Sequence, residues 1–295
     1  MTRSQHSRGG RARRPARTAA ALLAAALLAV PPAPYPAGAS TGLDSLGIAQ
    51  TDSAALTSSV MLPLNGGREV LPPVARPFRA GESLKFTVQY GIIHAGSAYL
   101  EVPEVREWQG HPVFHLMARA ESNSFFNRIY RVRNRIESFW DTTGRYSWRY
   151  SEDRREGSHH FKNEVIFDHD RGEARYDNGQ TFPIPPQAQD ALSAFYYTRF
   201  QPLPIGGSIV FDYHADKKSQ PLEVRVLGRE RIDVPAGKFN CIAIEPVLNA
   251  GGIFKSNGRL VIWLTDDERR MPVLMKSKVA IGSISAVLVD ARSGS

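Results

Sequence analysis

The chain has 295 residues, of which 42% are hydrophobic, so it is long and apolar enough for one large or two ordinary domains with a buried core. It carries 37 basic and 29 acidic residues, a net charge of +8, but residues 1–39 hold six arginines and no acidic residue. Without that segment the balance is 31 minus 29, or +2, so the basic character belongs to the N-terminus and does not indicate a nucleic-acid partner.

The N-terminal region has the pattern of a secretory signal peptide. Six arginines precede the apolar run Ala19–Val30, and prolines and Ala37-Gly38-Ala39 follow it. This order of a basic, an apolar and a small-residue segment predicts a signal peptide over residues 1–39. The apolar run is short for a membrane span, although an uncleaved anchor is the alternative. We therefore expect no transmembrane span in the mature chain, which would reside in the periplasm or outside a bacterium.

The next segment, Ser40–Arg76, is rich in Ser, Thr, Ala, Gly and Pro and has no hydrophobic period, which predicts a disordered linker. A single β-rich domain is predicted over residues 77–290, followed by a C-terminal tail over 291–295. Cys241 is the only cysteine and lies in an apolar run, so we expect a buried, unreactive thiol and no intrachain disulfide.

From Pro77 onward, apolar and polar residues alternate with a period of two in segments separated by glycine-containing turns, which indicates antiparallel strands. The predicted strands begin with Ser83–Tyr90 and the segment after Gly96. The others are Val113–Glu121, Tyr130–Trp140, Tyr146–Tyr150, Phe161–Phe167, Ser208–Tyr213, Leu222–Glu230, Asn240–Val247, Leu260–Thr265, Val273–Val279 and Ser283–Val289. One helix is predicted over Ala191–Phe200, because Leu192, Phe195 and Tyr196 recur at helical spacing and Pro202 and Pro204 end the segment.

Several segments in this order resemble the bacterial domain of unknown function 3108 family over roughly Phe78–Asp290. They are Phe78–Glu82, Tyr90–Gly96, Asp190–Arg199, Leu260–Asp267 and Arg270–Val273. The resemblance implies an exported, mostly-β envelope protein without an established activity or known catalytic residues. Together with the strand count, it leads us to expect an all-β fold: a curved, rolled or half-barrel antiparallel sheet of about twelve strands, with one short helix between two strand runs.

The motifs of catalysis and metal binding are missing from the sequence. It contains no HExxH, no paired cysteines, no G-x-S-x-G and no phosphate loop. His111 and His115 have a metal spacing only on a helix, whereas their segment reads as a strand. His159, His160 and His169 are better explained as solvated turn residues. We therefore predict no catalytic residue, no metal and no cofactor.

Two groups of side chains could bind something else. Arg131, Arg133 and Arg135 form a basic row, which we interpret as a solvated face balanced by nearby glutamates rather than as an anion site. Aromatic residues on the inward faces are expected mainly to pack, but an open roll would let them line a groove. The candidate ligand-binding residues are Tyr90, His94, Trp140, Trp148, Phe195, Tyr196 and Trp263.

The sequence therefore favours a non-enzymatic envelope protein that holds an apolar or amphipathic ligand, or a protein partner, in the concavity of a curved sheet. A lipid, a glycan and an envelope protein are the partners considered. The alternatives are a polysaccharide-active hydrolase with dispersed carboxylates and a structural assembly factor of the envelope.

Overall fold

A computed structural model describes residues 76–248, 259–278 and 283–294, which form one antiparallel sheet and one α-helix. The strands of the first half are β1 (Glu82–Tyr90), β2 (Ile93–Trp108), β3 (His111–Ser122), β4 (Val132–Asp141), β5 (Ser147–Glu156), β6 (His159–Asp168), β7 (Glu173–Tyr176) and β8 (Thr181–Pro183). Helix α1 (Ala191–Arg199) follows. The second half contains β9 (Ser208–Ala215), β10 (Lys218–Val234), β11 (Gly237–Leu248), β12 (Leu260–Thr265), β13 (Pro272–Lys278) and β14 (Ser283–Arg292).

Several predicted features fall wholly or partly outside the described residues. They are the signal peptide over 1–39, the linker up to residue 75, the glycine turns at 251–252, 257–258 and 282, the last residue of the strand predicted over Val273–Val279, and the last residue of the C-terminal tail. At the other end of the domain, β14 continues past residue 290. Ala291 and Arg292 pair with Leu84 and Ser83 of β1.

The predicted all-β antiparallel fold with one short helix is confirmed, with fourteen strands instead of about twelve. The two additional strands are β7 and β8, which have four and three residues. So few residues hardly establish a period of two, and β8 ends in a proline. They are recognisable as strands only through their pairing with β6 and with each other.

The sheet consists of two meanders joined at its centre. From one edge to the other the order is β8-β7-β6-β5-β4-β3-β2-β1-β14-β13-β12-β11-β10-β9. Every pair except β1–β14 therefore joins strands that follow each other along the chain. The two long runs of hairpins meet only where the first strand pairs with the last.

The concave face of the sheet carries the main core. Along β1 the side chains of Leu84, Phe86 and Val88 are buried, and the residues between them are more exposed. The same alternation in the other long strands supplies one large cluster, which includes Trp140 and Leu288. A second, smaller cluster lies under the short edge strands and consists of Val165, Phe167, Ala174, Tyr176, Ile184 and Ala188.

Helix α1 is enclosed by the sheet. Asp190 caps its N-terminus by accepting hydrogen bonds from the backbone N–H groups of Leu192 at 2.7 Å and Ser193 at 2.8 Å. Six of its nine residues are buried, which include both apolar and polar positions. A helix buried on most of its circumference is an interior element. It packs mainly against β3, β4 and β9.

The sheet curls until its two edges approach each other. The segment before α1 covers the edge of β9, because the Gln189 N–H donates to the Asp212 carbonyl at 2.9 Å and the His214 N–H donates to the Gln189 carbonyl at 2.8 Å. On its other side the Ser147 N–H donates to the Ala188 carbonyl at 3.3 Å. This short segment therefore bridges β5 and β9, which lie far apart in the strand order.

A bulge in β5 changes one predicted face. The sequence pattern places Tyr146, Trp148 and Tyr150 on one side, but Phe139 pairs with Arg149 and Trp140 pairs with Ser147. Trp148 is therefore the extra residue of a bulge, and Ser147 takes the fully buried position opposite Trp140. The expectation that Trp148 shares a face with Tyr150 is wrong for this reason.

Within the described ranges, no helix combines the length and the hydropathy that a membrane-spanning segment requires.

Candidate functional site

The two ends of the rolled sheet meet at a junction that we call the seam, formed by Tyr176, Pro183, His214, Lys217 and Ser219. The Tyr176 hydroxyl lies 3.0 Å from Nε2 of His214, and Nδ1 of His214 lies 2.9 Å from the Ser219 hydroxyl. The Lys217 backbone N–H donates to the Tyr176 oxygen at 2.8 Å, and Ser219 donates to the Pro183 carbonyl at 2.8 Å.

The directions of these hydrogen bonds follow from the donors at each end. Because the Tyr176 oxygen accepts from Lys217, its own proton points to Nε2 of His214. Because Ser219 donates to a carbonyl, its oxygen accepts from Nδ1–H of the same ring. A neutral imidazole with its proton on Nδ1 satisfies both partners. Burial agrees with the neutral form, since it lowers the pKa of His214 to about 4.

Beside the seam is a cleft lined by both apolar and polar side chains. Its lining residues are Tyr150, Glu152, Asn163, Val165, Phe167, Tyr176, Ala191, His214, Ala215 and Asp216. The unoccupied space is about 340 Å³ including the part open to solvent, but only about 20 Å³ of it can take the centre of a water molecule. By that measure the cleft holds about one water molecule in its present form.

Two carboxyl groups with perturbed acidity belong to the cleft. Burial raises the pKa of Glu152 above its usual value, and the nearby charge of Arg154 partly offsets that effect. Nε of Arg154 lies 3.0 Å from Oε2 of Glu152. Burial likewise raises the pKa of Asp216, which also interacts with Arg154. The cleft therefore combines aromatic surface with two carboxyl groups that hold protons more readily than exposed ones.

A buried polar cluster connects the cleft region to the helix. Oδ2 of Asp190 accepts hydrogen bonds from the hydroxyls of Ser138 at 2.6 Å and Ser147 at 2.7 Å. Ser193 contacts Ser147 at 2.7 Å and completes the capping box. Burial raises the pKa of Asp190, and its hydrogen bonds act in the opposite direction. All four side chains are buried, so this cluster fixes the start of α1 and is not a surface site.

The structure separates the seven residues that the sequence analysis selected as ligand contacts. Trp140 and Tyr196 are fully buried and both contact Phe78, with ring centroids at 6.1 Å and 4.9 Å. The Trp140 indole N–H donates to Gln189 at 3.0 Å, and the Tyr196 hydroxyl donates to the Glu101 carbonyl at 3.4 Å.

Three of the remaining residues, Tyr90, Phe195 and Trp263, are half-buried and pack against the main core. His94 is exposed, and its Nε2 lies 2.9 Å from the Gly96 carbonyl. Trp148 stacks on His111 at 4.2 Å and donates to Asp141 at 3.0 Å. None of the seven lines the cleft.

The histidines flagged in the sequence analysis have other partners. His115 lies 2.8 Å from Glu137, and His160 lies 2.8 Å from Asp153. His169 contacts the Ser147 carbonyl at 2.7 Å, and burial lowers its pKa. In the described part of the chain, no three His, Cys, Asp or Glu side chains are grouped so that they could hold a metal ion.

Sequence reasoning missed the cleft because its walls come from distant parts of the chain. Tyr176 lies on β7, which the period of two did not reveal, and it is 38 residues from His214. The sequence offered no local signal for the cleft: the turn between β9 and β10 at Asp216 and Lys217 has positive φ at both residues, 49° and 66°, as a two-residue type I′ hairpin loop requires.

The fold and the site define a rolled, antiparallel all-β protein with an interior helix and a narrow amphipathic cleft at the seam. The chain belongs to the family of proteins of unknown function DUF3108, whose model matches residues 85–289. A comparison with the curated proteins finds no match.

Three solved structures are similar to this chain at low identity. A beta-barrel-like protein of the domain of unknown function DUF1849 from Brucella abortus has a TM-score of 0.48 and 9% identity, covering 74% of this chain and 99% of that one. A candidate lipoprotein from Parabacteroides distasonis has a TM-score of 0.35 and 12% identity, covering 75% and 100%. A candidate exported protein with a YmcC-like fold from Bacteroides fragilis has a TM-score of 0.31 and 14% identity, covering 74% and 98%.

Proposed function

We propose that the protein is a non-enzymatic, exported protein of the cell envelope that binds an apolar or amphipathic ligand on the concave side of its rolled sheet. The observation that carries this proposal is the cleft at the seam, where Val165, Phe167 and Ala191 form an apolar surface beside polar groups. Ligand sites are typically concave and mostly apolar, with a few placed polar groups. The arginine-rich start and the apolar run after it support export.

Ligand entry would require the seam to open. The closed cleft holds about one water molecule, which is far too little for a lipid tail or a sugar ring. However, the seam is closed by side-chain hydrogen bonds that involve Tyr176, His214 and Ser219. Each such bond contributes about 1 kcal/mol net, and the ring contacts of Phe167 and Tyr176 with His214 add to the cost of separating the edges. The ligand's contacts with the opened cleft would offset that cost.

The predicted aromatic contacts take different roles in this proposal. Tyr90 and Phe195 retain exposed surface beside the core, and we assign them to contact with the ligand. Trp263 lies between the buried Ile262 and Leu264. Nζ of the exposed Lys276 lies 5.8 Å from the centre of its ring, so we assign Trp263 to a protein partner on the outer face of the sheet. Trp140 and Tyr196 support that surface from within the core. Trp148 and His94 lie at the periphery, where they would meet a protein partner or a bulky head group.

The test begins with protein purified gently from a bacterial envelope. Extraction with organic solvent and mass spectrometry should reveal a lipid or a glycan that co-purifies. The extracted molecule, added back, should raise the melting temperature, because a ligand that binds only the folded state stabilises it by about 2.7 kcal/mol at a hundredfold excess over its dissociation constant. The emission of the tryptophans should shift as well. If nothing co-purifies and a panel of envelope lipids and glycans moves neither signal, the binding function is wrong and a structural assembly factor takes its place.

A matched pair of variants locates the site. Glu152→Gln changes a carboxyl group of the cleft, whereas Glu164→Gln changes a more exposed one on β6 that pairs with Arg149 at 2.8 Å. We expect Glu152→Gln to weaken binding and Glu164→Gln to leave it unchanged. Equal effects of the two substitutions would remove the cleft from the proposal.

One observation favours a second candidate, a polysaccharide-active hydrolase. Glu152 and Asp216 share the cleft and have raised pKa values, and a carboxyl group that stays protonated can act as a general acid. Cleavage of any glycan in the panel, lost in both Glu152→Gln and Asp216→Asn, would establish this function instead.

A further inference from the structure

The three most exposed large hydrophobic side chains of the described residues, Ile92, Phe125 and Ile129, lie on two connections at one end of the sheet. Ile92, at the tip of the β1–β2 hairpin, is 98% exposed, and its neighbour Ile93 is 53% exposed. Phe125 and Ile129, in the connection from β3 to β4, are 63% and 69% exposed. Side chains of this kind normally avoid water, and exposed groups of them mark interaction sites.

Hydrogen bonds hold the two loops together. The Asn123 backbone N–H donates to the Ala95 carbonyl at 2.9 Å, and the Asn123 side-chain amide donates to the His94 carbonyl at 2.7 Å. The hairpin tip and the β3–β4 loop therefore keep a fixed relation to each other.

The exposure of Phe125 and Ile129 follows from an ordered turn. The Phe126 N–H donates to the Asn123 side chain at 3.0 Å, and the Ile129 N–H donates to the Phe126 carbonyl at 2.9 Å. Phe126 itself packs against the main core, so the turn buries one aromatic residue and presents its neighbours. Phe125 and Ile129 are the residues that flank the 3-10 turn Phe126–Arg128 on either side.

This end of the sheet is also basic. Between residues 121 and 133 the chain carries Arg128, Arg131 and Arg133 against Glu121, and the paired end of β5 adds Arg155 and Glu156, so arginines outnumber carboxylates by four to two. Arg128, Arg131 and Arg133 are exposed, and within the described ranges none of them forms an ion pair; the ion pairs of this region belong to Arg119, Arg135 and Arg155. The basic row of the sequence analysis is thus divided: Arg135 pairs with Glu137, and Arg131 and Arg133 remain available.

We propose that this end of the sheet, the tip surface formed by Ile92, Ile93, Phe125, Arg128, Ile129 and Arg131, docks on a bilayer that contains anionic lipid. The apolar side chains would enter the interface between head groups and acyl chains, and the guanidinium groups would bind lipid phosphates. A bilayer fits better than a protein partner because the apolar side chains protrude from convex tips. A fluid interface accepts such tips directly, whereas a protein would have to supply a matching hollow for each.

Docking on a membrane is independent of the cleft and of the proposed ligand, and vesicles test it directly. Protein purified after export should sediment with vesicles of phosphatidylethanolamine and phosphatidylglycerol at about a 3:1 ratio, and not with vesicles of phosphatidylcholine alone. Binding should fall in high salt, which screens the guanidinium groups.

Variants locate the contact. Ile92→Ser and Phe125→Ser should each weaken vesicle binding about tenfold, since each removes apolar surface that would leave water. Arg128→Ser and Arg131→Ser should each weaken it about fivefold. The controls are Val210→Ser, an equally exposed apolar residue on β9, and Arg79→Ser, an exposed arginine that precedes the opposite end of β1. Because all variants share the same N-terminal region, differences between them report the tip surface alone.

A fluorescent label provides a readout of insertion. Cys241 is buried, so a polarity-sensitive dye can be attached selectively to Ile92→Cys or, as the control, to Val210→Cys. Addition of the anionic vesicles should shift the emission of the dye at position 92 to shorter wavelength and leave that at position 210 unchanged. Three results would overturn the proposal. The first is that the protein fails to bind anionic vesicles in low salt, and the second is that the tip variants bind them as well as the wild type does. The third is that the protein associates with itself instead of with vesicles, and that Ile92→Ser abolishes this self-association.

Discussion

At the scale of single residues, Gly96 is the position where the sheet tolerates no side chain. A Cβ atom added there would lie 2.1 Å from the Glu121 carbonyl oxygen and 2.9 Å from the Ser122 Cα, both of them backbone atoms of β3. Backbone in a central strand pair cannot move aside without disturbing the ladder on both sides.

We therefore expect Gly96→Ala to lower the free energy of unfolding by at least about 3 kcal/mol, measured by urea denaturation. Gly228→Ala is the matched control, because no atom lies within 4 Å of a Cβ built at that strand position. It should change the free energy by less than about 1 kcal/mol. Similar losses in the two variants would mean that the close approach of β2 and β3 is not the cause.

His214 makes the stability of the seam depend on pH. Its pKa is about 4 in the folded protein, against 6.5 for an unperturbed histidine. Between pH 6.5 and about 4 the imidazole of His214 is protonated in the unfolded chain but neutral in the folded protein. The free energy of unfolding therefore falls as the pH is lowered through this window. The loss amounts to about 3 kcal/mol when the window has been crossed.

The measurement is the urea midpoint of the wild type and of His214→Gln at several pH values between 7 and 4. The variant lacks the titrating ring, so its midpoint should change less over this range. The carboxyl groups of Glu152 and Asp216 face the same cleft, and their raised pKa values increase the free energy of unfolding as the pH is lowered. Because the wild type and His214→Gln both contain these carboxyl groups, the difference between the two proteins reports His214. Parallel pH profiles for the two proteins would contradict a neutral, buried His214.

At the scale of elements, a buried ion pair joins the end of α1 to the start of β1. Both terminal nitrogens of Arg199 donate to the Glu82 carboxylate, at 2.7 Å and 2.8 Å, and one of them also donates to the Pro77 carbonyl at 3.2 Å. The Phe78 ring lies 4.9 Å from the guanidinium carbon. A buried pair of this kind is costly to break, because one charge is left without its partner.

Arg199→Met should accordingly lower the free energy of unfolding by about 3–5 kcal/mol. Replacing both partners, as Arg199→Met with Glu82→Leu, should recover much of that loss, since no charge then remains buried alone. Lys238→Met, which removes the exposed partner of Asp233, should leave the urea midpoint unchanged. A double variant as unstable as the single one would show that packing of the Arg199 side chain, not its charge, holds α1 in place.

The elements also show what the sequence could predict. A period of two located every long strand, because one face of each packs on the core and the other meets water. The helix was predicted over Ala191–Phe200 and is observed over Ala191–Arg199, since the apolar spacing and the two prolines act locally. Of the three apolar residues that predicted the helix, Leu192 and Tyr196 are buried, whereas Phe195 is half-buried.

The site could not be predicted in the same way. Each cleft residue taken singly looks ordinary: Glu152 belongs to a charged strand, and Tyr176 follows a short turn. They come together only because the sheet rolls and its edges meet, which depends on the summed twist of fourteen strands rather than on any local pattern. The bulge at Trp148 is a similar case, since an extra residue is visible only against its partner strand.

At the scale of the whole molecule, the described domain contains its own core, and we expect residues 40–76 to be dispensable for folding. Their composition is that of a linker. Deleting them should leave the melting temperature of the protein within a few degrees. A loss of more than about 2 kcal/mol would show that the segment packs on the domain, because surface changes rarely cost as much.

The pairing of the first strand with the last gives this fold a particular order of assembly. Twelve of the thirteen strand pairs form between neighbours in the chain and can close as soon as both strands have been made. β1 has to wait for β14, about 200 residues later, and until then one of its edges offers unpaired N–H and C=O groups to any other extended chain. Such a contact of long sequence separation slows folding, because the entropy of closing a large loop must be lost before the contact forms. A chain that ends before β14 would therefore leave β1 as an edge strand with one unpaired side, open to pairing with other chains. We expect refolding of the intact protein to be limited by this single closure, and truncated chains to aggregate instead of forming a smaller stable sheet.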